Sequence, residues 1–287
     1  MGYEVNTSNV LGKGGFGKVY QASVIKRREC DRTCALKLSC SGIPSQSLMR
    51  EYEIYRELGE RYNDRWPWVE PPYFQEGGEL VLPMELLGAN LESLRKQPLP
   101  DATLLCRLIT ETLNRLDELH QLGFVHRDIK PANFAFCADA SDPYRVYLID
   151  LGLTRNMDEC QVQYHREQPF GGTVKYTSLA THWHINPTFK DDLISLGYMW
   201  VSLLSPTGLP WDRVSHMKKQ THMEDTIQFK QRKREMIESI KSRTTIRDLC
   251  QSIPSALNVP MFQFIAYCSA IPHHVMPDYD FLKSLFT

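Results

Sequence analysis

The chain has 287 residues, 33 lysines and arginines against 34 aspartates and glutamates, and a formal net charge of −1 at pH 7. A balance so close to zero excludes bulk electrostatic binding to nucleic acid or to an anionic membrane surface, while 42% apolar and 23% charged residues are ordinary for a globular protein with material for one large domain or two lobes. Eight cysteines without a C-x-x-C pair, and no H-E-x-x-H or zinc-finger spacing, point to reduced thiols; even Cys30, Cys34 and Cys40, the best metal candidates, are irregularly spaced.

Met1 to Thr7 has neither the basic start nor the apolar stretch of a signal peptide, and Asn6 stands where a myristoylation motif needs Ser or Thr. Next, Leu11-Gly12-Lys13-Gly14-Gly15-Phe16-Gly17-Lys18-Val19 sets G-x-G-x-x-G, then x-V, among strand-like residues. Glycine is required where the backbone must come within hydrogen-bonding reach of phosphates and take angles that a Cβ forbids. The string alone also fits a dinucleotide-binding turn or a plain hairpin. Tyr20 to Val24 alternates like a second strand rather than opening a helix, and no G-K-[ST] follows, so the segment is expected to be a hairpin covering a nucleotide.

Cys34-Ala35-Leu36-Lys37-Leu38 matches V-A-I-K with Cys for Val, which makes Lys37 the expected ligand of the α and β phosphates. From Ser47 to Glu60, Leu48, Tyr52, Tyr55 and Leu58 recur on one helix face. Glu51, beside that face, is the candidate partner of Lys37, and Glu53 is the alternative. After the turn at 76–79, the apolar strand Leu80 to Met84 runs into a link, Glu85-Leu86-Leu87-Gly88. From Asp101 to Gln121, apolar residues at helical spacing predict a long helix stopped by Gly123.

That helix presents His126-Arg127-Asp128-Ile129-Lys130-Pro131-Ala132-Asn133, followed after a predicted strand pair by Asp150-Leu151-Gly152. A substrate hydroxyl needs a carboxylate to orient it and take its proton, which suits Asp128. Lys130 can neutralise charge on a phosphoryl group in transfer. Asn133 and Asp150 offer an amide and a carboxylate oxygen to a hard cation. The polar stretch from 153 to 171 is longer than an ordinary connection, with Thr154 and Tyr164 as its candidate phosphate acceptors. Leu193 to Leu204 is apolar but too short to span a bilayer and reads as a buried core helix.

H-R-D with its K-P-x-N tail, D-L-G, the glycine loop and A-L-K together make up the protein-kinase signature, with Leu151 for Phe. Beyond it, Gly172-Thr173-Val174-Lys175-Tyr176-Thr177-Ser178, His182, Lys190 to Tyr198, Leu209-Pro210-Trp211, Met84 to Gly88 and the closing Pro277-Asp278-Tyr279 with Leu282 resemble the casein kinase 1 superfamily, including its tau-tubulin and vaccinia-related branches. The resemblance covers essentially the whole chain, and an A-P-E motif is missing where this superfamily lacks it.

The resemblance implies an α+β, bilobal protein-kinase fold: a small antiparallel N-lobe over 1–84 with one main helix, a hinge over 85–88 and a mainly helical C-lobe over 89–287. It implies transfer of the γ-phosphoryl of Mg-ATP to serine or threonine of protein substrates. Asp128, Lys130 and Thr173 would be catalytic. Leu11 to Val19, Ala35, Lys37, Glu51, Met84, Glu85 and Leu87 would hold ATP, and Asn133 and Asp150 the Mg2+. Asp192 matches a buried aspartate that braces the catalytic loop.

Members of this superfamily often read acidic or phosphorylated sites through a basic pocket. Lys175, standing for the usual Arg, with Lys230, Arg232 and Lys233 forms the corresponding candidate anion site; for the run Lys230 to Arg234 a solvated helix face is the preferred reading, with a nuclear-import signal as a further alternative. The expected partners are protein substrates, with no nucleic acid and no membrane. The chain is expected to be a monomer of the cytoplasm or nucleus. A pseudokinase or scaffold is the competing reading.

Overall fold

The computed structural model describes residues 2–14, 17–25, 32–39, 45–75, 78–139, 142–158, 171–218 and 226–287, with the backbone alone for 2–9, 12–14, 17–18, 22–25, 32 and 45. They form two compact units, Met1–Ala89 with Ala135–Gly152, and Asn90–Phe134 with Leu153–Thr287. The class is α+β, as the sequence implies.

The first unit is built on a five-stranded antiparallel sheet: β1 (Gly2–Gly14), β2 (Gly17–Ile25), β3 (Arg32–Ser39), β4 (Tyr73–Phe74) and β5 (Leu80–Glu85), in the order β1-β2-β3-β5-β4. The β1–β2 hairpin closes at the pair Gly14 and Gly17, so the glycine string does join two strands; Gly15 and Phe16 lie outside the described residues. Because side chains alternate along a strand, the sheet sorts its residues into two sets. Cys34, Leu36 and Val81 pack with Leu38, Trp68 and Tyr73, while Leu80 and Leu82 pack with Leu48, Tyr52 and Val69. Lys37 is paired with Leu82 across the β3–β5 ladder, which puts it on the side covered by α1 (Ser45–Tyr62).

Residues 135–152 group with the first unit, and hydrogen bonds tie them to it. Gly88 N–H donates to Phe136 O at 2.9 Å and Phe136 N–H to Ala89 O at 2.9 Å. The pair β7 (Phe134–Phe136) and β8 (Val146–Leu148) carries Arg145, whose Nη1 is 2.7 Å from Asp64 Oδ2, and Tyr147, whose hydroxyl donates to Asp64 O at 3.1 Å.

The second unit is mainly helical: α2 (Ala102–Gln121), α3 (Leu179–His182), α4 (Phe189–Leu204), α5 (Asp212–Ser215), α6 (Thr226–Lys241), α7 (Ile246–Cys250), α8 (Ser255–Ala270) and α9 (Tyr279–Ser284). It also holds β6 (Phe124–Val125) paired with β9 (Arg155–Asn156). Asp101 caps α2 by accepting Leu104 N–H at 2.9 Å, and Leu105, Leu108, Ile109, Leu113, Leu116 and Leu119 form its buried face. Helix α4 is buried along most of its length, and α8 comes so close that a Cβ on Gly197 would stand 2.9 Å from Ile265 Cγ1.

Among the described residues no helix is long and apolar enough to cross a membrane, and no group of three or more His, Cys, Asp or Glu is placed to hold a metal ion. Cys34 lies in the core, fully buried; Cys30 and Cys40 are outside the described residues.

Candidate active site

In the first unit the sheet and α1 bring together three charged groups. Lys37 Nζ donates to Glu51 Oε1 at 2.8 Å, Glu51 Oε2 at 2.7 Å and Asp150 Oδ1 at 2.7 Å. Helix phase explains the choice of glutamate. Glu51 is three residues from Leu48 and four from Tyr55, all buried, whereas Glu53 is exposed. Burial by itself would lower the Lys37 pKa, but the carboxylates of Glu51 and Asp150 outweigh it and hold the ammonium well above its ordinary value. Glu51 also accepts Leu151 N–H at 3.2 Å, and Tyr55 OH accepts Asp150 N–H at 3.1 Å.

Asp150 has φ 65°, a left-handed conformation that Asp tolerates better than most residues and that the Tyr55 bond helps to fix. Leu151, standing where the signature has Phe, is 1% exposed and keeps the apolar plug. Ala35 and Met84 are buried partners across β3 and β5. Glu85 N–H donates to Trp68 O and its carboxylate accepts Trp68 N–H, and among the described residues no hydrogen bond uses the Leu87 N–H or C=O. Leu11 is exposed and Val19 half-buried; the side chains of Lys13 and Lys18 are not among those described.

In the second unit the catalytic-loop residues converge on Asp128. Its Oδ2 accepts from Lys130 Nζ at 2.5 Å, its Oδ1 from the Thr173 hydroxyl at 2.8 Å, and its backbone O from Asn133 Nδ2 at 2.8 Å. The loop is held from below by Asp192 on α4, which is 2% exposed. Asp192 accepts His126 N–H at 2.7 Å and Arg127 N–H at 2.9 Å, and pairs with His120 Nε2 at 3.0 Å. These bonds stabilise Arg127 at φ 73°, a conformation costly for a residue with a Cβ. The far nitrogen of His120 meets Tyr279 OH at 2.6 Å, so α9 also buttresses the loop through a residue distant in sequence.

Gly172 is where backbone freedom is needed. It has φ +89°, and a Cβ there would stand 2.5 Å from Arg127 O and 3.5 Å from Asp128 Oδ1. Gly172→Ala is therefore expected to destabilise the chain by about 1–3 kcal/mol and to displace Thr173 from Asp128. Urea unfolding midpoints of the two proteins check this; equal midpoints would rule it out.

Three of the four candidate anion-site residues have partners within the chain. Lys175 Nζ is 2.9 Å from Asp212 Oδ2, both largely buried, so its charge is already matched. Lys233 Nζ donates to Met217 O at 3.3 Å, Arg232 stacks over Phe229 at 5.8 Å, and Lys230 shares their helix. The lone-lysine signal at 175 could not reveal a carboxylate 37 positions on in the chain.

His182 is 3% exposed, while His184 meets Arg234 at the surface. Thr154 is fully buried, which closes it to modification in this conformation; Tyr164 lies outside the described residues.

A family model described as the protein kinase domain matches residues 5–268. Among solved structures, one described as the structure of vaccinia related kinase 3 matches with a TM-score of 0.71 at 17% sequence identity, over 99% of this chain and 85% of that one. A likeness at that identity is a likeness of fold.

Proposed function

The chain belongs to the protein kinase domain family, and on that premise we propose that it is a serine/threonine protein kinase of the casein kinase 1 superfamily, using Mg-ATP. The observation that carries this reading is the Asp128 carboxylate, held by Lys130 on one oxygen and by Thr173 on the other. A chain that only bound nucleotide would not need a carboxylate so fixed.

In the reaction, Asp128 orients the acceptor hydroxyl and takes its proton as the oxygen–phosphorus bond forms and the bond from the γ-phosphorus to the β-phosphate oxygen breaks. Lys130 balances charge on the group in transfer. Lys37, kept charged by its two carboxylates, holds the α and β phosphates. The open Leu87 backbone suits the adenine edge.

Two residues offer the hard oxygens that suit Mg2+: in the second unit Asn133 uses its amide nitrogen on Asp128, which leaves its oxygen for a cation, and in the first unit Asp150 carries a carboxylate. The bound ion would neutralise the phosphates. The pairing of Lys175 with Asp212 weighs against phosphate-primed substrates and in favour of unprimed ones.

Incubation of the chain with Mg-ATP and a panel of unprimed and primed serine and threonine peptides tests the proposal. Labelling of unprimed serine or threonine is the expected result. Nucleotide binding without labelling of any peptide would establish the pseudokinase instead.

A further inference from the structure

The second unit contains a buried lysine that none of the chemistry above uses. Lys241, the last residue of α6, is 3% exposed. An ammonium has three N–H groups, and all of them have acceptors here: Val174 O at 2.9 Å, Thr177 O at 2.6 Å and His182 Nε2 at 3.3 Å. The ring centroids of Trp211 and Tyr198 lie 5.1 and 5.4 Å from Nζ, within cation–π range. Among the described residues no carboxylate pairs with it.

Burying an ammonium without a counter-charge is costly, and an apolar strut would fill the space more cheaply. The acceptors show what the charge accomplishes. Val174 and Thr177 bracket Lys175 and Tyr176 in the segment that begins at Thr173, the residue on Asp128. Within that segment Tyr176 N–H and Thr177 N–H both donate to Thr173 O, at 2.8 and 3.3 Å, so it is a single tight turn. The carbonyl of Lys175 accepts Trp211 Nε1–H at 2.8 Å. One cation and one indole therefore hold three carbonyls of this short segment, those of Val174, Lys175 and Thr177.

We propose that Lys241 is a positioning residue: its buried ammonium fixes the turn 173–178 and thereby holds Thr173 on the catalytic carboxylate for peptide transfer. Two features support this. Burial, then the charges of Lys241 and Arg234, push His182 down to about 3, so the imidazole is neutral at working pH and its Nε2 lone pair can accept from the lysine. Burial also lowers Lys241 well below the ordinary lysine value, which marks the environment as water-poor.

The catalytic part rests on the kinase reading above, so the test has an arm that does not. Lys241→Met keeps the length and loses every donor; Lys241→Arg keeps the charge and several donors. Hydrogen–deuterium exchange across 172–182 in Lys241→Met is expected to speed up about tenfold or more, with α4 and α8 unchanged, and Lys241→Arg is expected to restore part of the protection. Peptide kcat/KM should fall about 10- to 100-fold in Lys241→Met, mostly in kcat, with KM for ATP unaltered.

Wild-type exchange in Lys241→Met would overturn the proposal. Loss of protection throughout α4 and α8 would also overturn it, by making Lys241 a general strut. If the wild type transfers no phosphate at all, the kinase reading fails while exchange at 172–182 still decides the role of Lys241.

Discussion

Asp128→Asn is expected to lower phosphate transfer to peptide by about 10²- to 10⁴-fold, the range for removal of a positioned base. Folding should survive, because the amide can reuse the contacts. Its oxygen can accept from Lys130, and its N–H₂ can donate to the Thr173 hydroxyl, which reverses its role from donor to acceptor. Asn133 bonds the backbone carbonyl of residue 128 and, at 3.4 Å, its Oδ2, and an amide oxygen kept in the Oδ2 position still accepts from it. What is lost is the negative charge and the ability to take a proton. Nucleotide affinity should be unchanged, since the contacts of Lys37 with Glu51 and Asp150 do not involve residue 128. Steady-state transfer and a nucleotide titration on the same sample check this. A variant that keeps more than about a tenth of the wild-type rate would remove Asp128 from the role of base.

Different parts of this architecture were legible in the sequence to different degrees, and locality accounts for the difference. Lys37 and Glu51 could be read because each lies in a periodic element: β alternation sets the face of one, and helix phase separates Glu51 from Glu53. The catalytic loop was legible because His126 to Asn133 is a contiguous string with few chemical uses. Lys241 was not legible. A lysine ending a helix with a basic run reads as a solvated partner of the helix dipole, and only the distant carbonyls of Val174 and Thr177 show otherwise. The same holds for Asp212, which neutralises Lys175, and for Tyr279, whose bond to His120 spans 159 positions. The allegiance of 135–152 to the first unit was equally hidden, since it rests on Asp64, Gly88 and Ala89 meeting a hairpin far along the chain.

Lys37→Met should produce two separable losses. Transfer is expected to fall about 10²- to 10³-fold, as when one preorganised electrostatic group is removed from a site of charge development. Stability should fall too, by about 3–5 kcal/mol, because the substitution leaves the Glu51 carboxylate uncompensated in a place where it is 1% exposed. A low rate could then be blamed on unfolding. The double variant Lys37→Met/Glu51→Gln distinguishes the causes. Gln removes the orphaned charge and can still accept Leu151 N–H through its carbonyl oxygen, so the urea midpoint should recover most of the difference. The rate should not recover, because no cation is left for the phosphates. Lys37→Arg is not a milder version, since a planar fork cannot replace a point charge shared between carboxylates at 2.7 Å on either side. Recovery of rate together with stability in the double variant would show that Lys37 acts only as a partner for Glu51.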